Sequence, residues 1–403
     1  ELKPTSIGDV AAMIALYRPG PMEHITTFIE AKHGQVKPRY PHAALKDILE
    51  ETYGVIVYQD QVLLITQTFA GYSLGEADIV RKAMGKKIPE IMEQEKEKFL
   101  SGASEQGYSH ELAAEIFSLI EPFAGYAFNK AHSVSYGLIS YWTAYLKANH
   151  TVEYMVSLLN TYMGNTEKVS AAIAECRRLN IPVLPPDINR SEIGFSLETS
   201  ENQKLVVRFG LAAVKNVGSE SVRSIEKSRR TQGSFSSIEE MCRVADMRGV
   251  NRKTLESLIK SGVFDTFGDR SALLTVIDRI LSLSQSEAKL KQSDQATMFD
   301  LFCESVQTPL ANIALPDMKT SRRELWNWER ELLGVQLSDN DILSTLDNAN
   351  SGTIVFRSDI NSDMSGKKVS MRGQVHLITH RHTRTDRPFL IANVGLMDGQ
   401  VDV

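Results

Sequence analysis

Nine consecutive residues, Gly125-Tyr126-Ala127-Phe128-Asn129-Lys130-Ala131-His132-Ser133, set a cation, an imidazole, an amide and a hydroxyl side by side. Such a set can hold an anion. The stretch Val134 to Leu159 that follows is apolar, aromatic and free of proline. Leu138, Trp142, Tyr145 and Leu146 recur there at helical spacing, which predicts a helix with one filled face. Ser133 is its expected N-cap. A helix start presents unpaired N–H groups at the positive end of the dipole, so Asn129, Lys130 and His132 there suit a phosphate. They also suit a solvated cap with no ligand, and the local pattern by itself favours that reading.

A second basic cluster lies upstream. Ser73 and Glu76 have capping-box spacing and open a predicted helix that runs through Ile79, Val80 and Met84 and stops at Gly85. Arg81, Lys82, Lys86 and Lys87 crowd its last turn and exit. Cations at a helix C-terminus also complement the dipole by themselves, so this cluster too has a reading without a ligand.

Four motifs occur in one order: Ala15-Leu16-Tyr17-Arg18-Pro19-Gly20-Pro21-Met22, Tyr58-Gln59-Asp60-Gln61-Val62, Arg81-Lys82-Ala83-Met84-Gly85-Lys86-Lys87 and Phe128-Asn129-Lys130-Ala131-His132-Ser133. Together they resemble the fingers of the C-family of bacterial replicative DNA polymerases, the DNA polymerase III alpha subunits. The resemblance implies that Arg81 and Lys82, with Lys86 and Lys87 beside them, hold the triphosphate of an incoming deoxynucleotide. It places Lys130 and His132 on the same pocket, with Asn129, Ser133 and Tyr136 as neighbours. The chemistry agrees: fixed cations neutralise a triphosphate and stabilise the charge developing on leaving pyrophosphate. Arg suits bidentate recognition of oxygens and Lys acts as a point charge. His132 can protonate or hydrogen-bond the leaving group, or serve structure alone.

Length and composition frame this expectation. The 403 residues leave room for two to four domains, and 42% hydrophobic content is that of a globular protein. A formal net charge of −5 excludes a uniformly basic surface, so nucleic-acid contacts must be local patches. Cys176, Cys242 and Cys303 stand far apart, which suggests reduced thiols, a cytoplasmic location and no zinc site. His376, His380 and His382 flank a predicted hairpin without carboxylate or thiolate company, a poor metal set. Neither a membrane span nor a signal peptide is read in the sequence. The chain begins without Met in what reads as mid-domain sequence, so a fragment is expected.

Beyond the fingers, residues 134 to 180 read as helical, and Ile181 to Asn189 as an extended, proline-rich connection. Strands near Gly194 to Leu197 and Leu205 to Phe209 are expected to pair. Val214-Lys215-Asn216-Val217-Gly218-Ser219 then resembles a helix-hairpin-helix, with Asn216 in place of the first glycine because Asn tolerates positive φ. Phe264 to Ala272 reads as a weaker second copy, with Thr266 at that position. In such hairpins backbone N–H groups and cations hold DNA phosphates, which makes Lys215, Gly218, Ser219, Gly268 and Arg270 the candidates. From Ser282 to Pro309 the composition is that of a linker. Within it, Gln295-Ala296-Thr297-Met298-Phe299 resembles a sliding-clamp-binding peptide, with Met298 and Phe299 as apolar anchors and Gln295 as polar contact. Lys367 to Val403 alternates like the first strands of an OB-fold, which puts Arg381, Arg384, Arg387 and Phe389 forward for single-strand contacts.

The expected division is fingers at 1–205, tandem helix-hairpin-helix at 206–280, linker and helical connection at 281–350, and an incomplete OB-fold at 351–403. The fold class is multidomain and mainly α with a small partial β segment. By resemblance, the metal-binding carboxylates and their Mg2+ belong to a palm domain ahead of the fingers. Asp339-Asn340-Asp341 reads as a turn, so no catalytic residue is assigned here. The first functional reading is part of a replicative polymerase whose partners are deoxynucleotide, primer-template DNA, sliding clamp and other replicase subunits, without a membrane. An error-prone paralogue and a non-catalytic DNA-binding module are the alternatives. The triphosphate cluster favours the first.

Overall fold

A computed structural model describes residues 1–79, 89–121, 127–292, 313–338, 360, 364–370, 374–383, 388–396 and 399–403. The chain forms two compact units, Glu1–Asn149 and His150–Val403. Helices dominate both, and the sheets are small.

The first unit starts with α1 (Ile7–Leu16), opened by a capping box in which Ser6 Oγ accepts from the Asp9 N–H at 3.2 Å and Asp9 Oδ2 accepts from the Ser6 N–H at 3.2 Å. Asp9 is buried and also takes the Thr5 N–H at 2.8 Å, the Tyr53 hydroxyl at 3.2 Å and the Lys32 ammonium at 3.3 Å. Burial pushes its carboxyl up, but the Thr5 N–H and Lys32 prevail and hold it below the usual carboxylate value. Lys32 closes α2 (Ile25–Lys32), so this charge ties the two helices together. Ala12, Ala15 and Leu16 of α1 pack with Phe28, Val55, Val57 and Tyr58 in a small core.

A second core joins α3 (Ala43–Leu49), α4 (Gln59–Ala70), α5 (Pro89–Glu105) and α6 (His110–Ile120) through Leu45, Leu49, Ile65, Phe69, Phe99, Ile116 and Phe117. The anticipated Ser73–Glu76 capping box forms, with Glu76 Oε2 taking the Ser73 N–H at 3.0 Å and the Ser73 hydroxyl at 2.7 Å. The helix it opens is described over residues 74–79.

α7 (Lys130–Asn149) corrects two expectations. It starts three residues earlier than Ser133: Asn129 Oδ1 caps it by accepting from the His132 N–H at 2.9 Å, and the Asn129 carbonyl takes the Ser133 N–H at 3.1 Å. Ser133 lies inside the helix, fully buried, and donates its hydroxyl to the Ala11 carbonyl. The aromatic face is also not core. Trp142 is 57% exposed and Tyr145 49%, and Leu138 and Leu146 are exposed as well. Ser133 and Gly137 carry the contact with α1 instead, where a Cβ on Gly137 would stand 3.6 Å from the Ala11 nitrogen. Small residues on both helices permit that approach.

The second unit opens with α8 (Thr151–Thr161) and α9 (Thr166–Arg178), so the expected helical run to residue 180 is three helices. His150 leaves helical geometry at φ −130°, and Gly164 at φ +85° with the Asn165 cap makes the second break. The expected strand pair forms: β2 (Ser196–Thr199) runs antiparallel to β3 (Leu205–Arg208), from Ser196 opposite Arg208 to Thr199 opposite Leu205. β1 (Val183–Leu184) adds in parallel on the other edge of β3.

Helices α10 (Ser219–Gln232), α11 (Ile238–Val244), α12 (Arg252–Lys260), α13 (Arg270–Thr275) and α14 (Ile277–Gln292) follow. They share one core with the sheet, through Val207, Phe209, Val222, Ile225, Leu255, Leu258 and Phe264. Segment 313–338, which holds α15 (Arg322–Leu333), returns to that core with Ile313, Leu332, Leu333 and Val335. Last come β4 (Gln374–His382), β5 (Pro388–Leu396) and β6 (Gly399–Asp402), an antiparallel meander in which His382 faces Pro388 and Leu396 faces Gly399. Both hairpins therefore have paired strands, the one beside His380 and His382 as anticipated. Their turn residues 384–387 and 397–398 lie outside the described residues.

Candidate nucleotide and nucleic-acid sites

The second and fourth sequence motifs meet in space. Tyr58 and Phe128 form a parallel bridge: the Gln59 N–H donates to the Phe128 carbonyl at 2.9 Å, and the Phe128 N–H to the Val57 carbonyl at 3.0 Å. α4 begins one residue after its bridge partner and α7 two residues after, so two positive helix ends open side by side. Gln61 fixes this corner from inside. Its Oε1 accepts the N–H groups of Val57 at 2.8 Å and Tyr58 at 3.0 Å, and its Nε2 donates to Thr52 Oγ1 at 2.8 Å.

Cations gather at this start of α7. Lys130 Nζ lies 2.5 Å from Glu51 Oε2 and 5.6 Å from the Tyr58 ring centroid. His132 packs edge-on to Phe128 at 5.5 Å and tilted against Tyr136 at 4.7 Å, leaving both His132 and Tyr136 exposed. The Arg18 guanidinium lies over Phe128 at 4.4 Å and is partly desolvated, which lowers its pKa. Burial and the Glu51 carboxylate push the Tyr58 hydroxyl up to about 12, with the Ser133 hydroxyl beside it acting in the opposite direction. Asn129, Lys130, His132 and Tyr136 are thus together and reachable by solvent. Ser133, an expected neighbour of the pocket, has its hydroxyl committed to α1. Arg81, Lys82, Lys86 and Lys87 lie outside the described residues. Arg18 and Glu51 also belong to this corner, and neither is singled out as a site residue by the sequence. Arg18 stood in a motif already singled out, whereas Glu51 carried no local signal.

The first hairpin has the geometry its sequence suggested. Asn216 takes φ +68°, and Val214 and Val217 are buried while Lys215, Asn216, Gly218 and Ser219 face solvent. Gly218 caps α10 with no side chain over the helix start. The Lys215 N–H itself is used, donating to the Leu332 carbonyl at 2.9 Å.

The second hairpin departs from expectation. Arg270 is 3% exposed and paired with Asp265 at 2.7 Å and Glu329 at 3.0 Å, so it is no surface cation. Burial pushes the Asp265 carboxyl up even with that guanidinium beside it. Thr266 is absent from the positive-φ residues, unlike Asn216. Arg381 is exposed on β4 opposite Phe389, while Arg384 and Arg387 lie outside the described residues, as do Gln295, Met298, Phe299 and Asp339–Asp341. Among the described residues no group of three or more His, Cys, Asp or Glu is arranged to hold a metal ion, and no helix is long and apolar enough to cross a membrane.

Comparison with known proteins extends this geometry. Residues 1–107 match the family described as bacterial DNA polymerase III alpha subunit finger domain, and residues 180–273 match a helix-hairpin-helix motif. The chain is 41% identical over 392 residues to the DNA polymerase III subunit alpha of Thermus aquaticus, covering 95% of this chain and 31% of that protein. The protein of the same name from Escherichia coli K12 is 39% identical over 349 residues, 85% of this chain and 30% of its own length. That from Saccharopolyspora erythraea is 38% identical over 428 residues, 100% of this chain and 34% of its own. The chain spans about a third of the length of these relatives. Over that third, with its finger and helix-hairpin-helix regions both matched, the chain belongs to the bacterial DNA polymerase III alpha subunit family.

Proposed function

We propose that this chain supplies the nucleotide grip and duplex grip of a cytoplasmic DNA-directed DNA polymerase that extends primers during chromosomal replication. The observation that carries the reading is the finger-domain match at residues 1–107, which takes in the Arg81–Lys87 cluster, in relatives named as polymerase subunits. A non-catalytic DNA-binding module has no use for such fingers. In this reading Arg81 and Lys82 grip the triphosphate, assisted by Lys86 and Lys87. Lys130 and His132 line the opposite wall, with Asn129 and Tyr136 beside them. The paired helix starts at Tyr58 and Phe128 add positive potential to that wall. When pyrophosphate leaves, fixed cations stabilise its charge without reorganising. Lys130 must exchange its Glu51 partner for phosphate oxygen as nucleotide enters. Mg2+, the ion such chemistry uses, is assigned to palm carboxylates and not to residues of this chain.

Lys215, Gly218 and Ser219 of the first hairpin hold duplex phosphates, with Lys215 as the mobile cation and the α10 start as the fixed dipole. Arg381, Arg384 and Arg387 are proposed to meet the template single strand. Gln295, Met298 and Phe299 bind the sliding clamp, and the other replicase subunits assemble on the full-length protein.

One experiment tests both the activity and the tether. The full-length protein, given primed template, Mg2+ and deoxynucleotides, is expected to extend the primer. Met298→Ala with Phe299→Ala is expected to shorten clamp-assisted products on the order of tenfold, since apolar anchors dominate such peptide contacts. Synthesis without the clamp should be unchanged. Absent extension contradicts the activity, and equal loss with and without the clamp contradicts the tether.

A further inference from the structure

The second hairpin was expected to offer Gly268 and Arg270 to phosphates, yet the groups there are already occupied. A guanidinium carries five N–H donors. Those of Arg270 reach Asp265 Oδ1 at 2.9 Å, Asp265 Oδ2 at 2.7 Å, the Lys260 carbonyl at 3.1 Å, Glu329 Oε1 at 3.0 Å and Ser338 Oγ at 3.0 Å. No donor remains for a ligand. Glu329 is equally engaged and wholly buried, its Oε2 accepting from the N–H groups of Leu337 at 2.7 Å and Ser338 at 3.1 Å.

The neighbouring groups are covered in the same way. The Ser271 N–H is shared between Asp269 Oδ1 at 2.9 Å and Thr320 Oγ1 at 3.0 Å, and Thr320 donates its N–H to Asp269 Oδ2 at 2.9 Å. A Cβ placed on Gly268 would stand 2.5 Å from Leu315 Cδ1. Leu315, Thr320, Glu329 and Ser338 all belong to segment 313–338. A phosphate arriving here would also face three carboxylates, Asp265, Asp269 and Glu329, which repel it.

We infer that the second hairpin is the docking site of the chain's own segment 313–338, with Arg270 as its buried anchor, and that it does not grip nucleic acid. The motif is tandem in sequence and single in function. That last statement rests on the proposed duplex binding by the first hairpin, whereas the docking does not.

Two measurements on the full-length protein test it. In Thr320→Val, hydrogen exchange at the Ser271 amide should accelerate about tenfold through loss of a hydrogen bond that closes the dock. Unchanged exchange overturns the docking. For DNA, Arg270→Met combined with Glu329→Met removes the charge pair together, and duplex affinity is measured against salt beside Lys215→Ala. The folded double variant should keep its affinity within about twofold, the range of a substitution that touches no ligand. Lys215→Ala should make the salt slope shallower by about one. A tenfold loss with a shallower slope in the double variant, or in Thr320→Val should the double variant not fold, overturns the inference. An unchanged slope in Lys215→Ala defeats the first-hairpin reading and with it the claim of a single grip, while the exchange measurement decides the docking separately.

Discussion

Replacing Arg81 and Lys82 by alanine in the full-length protein is expected to lower kcat/KM for deoxynucleotide incorporation about thirty- to a hundredfold. The magnitude follows from the chemistry of the pair: hydrogen bonds to charged groups contribute about 1.5 to 3 kcal/mol each, and competition from water for the phosphate keeps their sum nearer about 2 to 3. The loss should fall on KM where the two cations hold ground-state and transition-state phosphates alike, and on kcat where they meet the pyrophosphate charge. Steady-state kinetics with saturating primer-template measures both. Duplex affinity should not change, because the proposed duplex contacts lie at Lys215, Gly218 and Ser219. Unaltered kinetics would remove Arg81 and Lys82 from the pocket.

The second large effect concerns stability. Glu329→Ala leaves the Arg270 guanidinium buried with one carboxylate gone, and also strips the Leu337 and Ser338 N–H groups of their acceptor. Breaking a buried pair from one side costs about 3 to 5 kcal/mol. For a unit of this size that corresponds to a fall in melting temperature of about 6 to 20 °C. Replacing both partners by Met should cost much less, since no charge is then left unpaired. Calorimetry of the two variants distinguishes them, and equal melting temperatures would mean that the pair is not coupled.

These two cases mark where the sequence was legible. Capping chemistry is local, so the Ser73–Glu76 box and the positive φ of Asn216 could be read directly. Alternation with turn signals likewise located the β2–β3 pair. Asn129 and Ser133 are both good caps, and the choice between them was made by the Phe128 bridge to Tyr58, seventy residues away in the chain. Tertiary contact decided what propensity left open. From sequence Arg270 reads as a surface cation, because its buried partner Glu329 lies 59 positions on, beyond any local pattern. The aromatic spacing on α7 was real, but spacing predicts which residues share a face and not whether that face is covered. Glu51 escaped notice for the same reason as Glu329: only the fold brings it to Lys130.

The Arg81 cluster and the start of α7 are proposed to line one triphosphate pocket. A deoxynucleoside triphosphate bearing a photoreactive γ-phosphate group, bound to the full-length protein with primer-template and cross-linked, tests it most directly. Label is expected in peptides spanning both the Arg81–Lys87 cluster and Asn129–Tyr136, displaced by unmodified nucleotide. Label confined to other peptides, or undiminished by competing nucleotide, would contradict it.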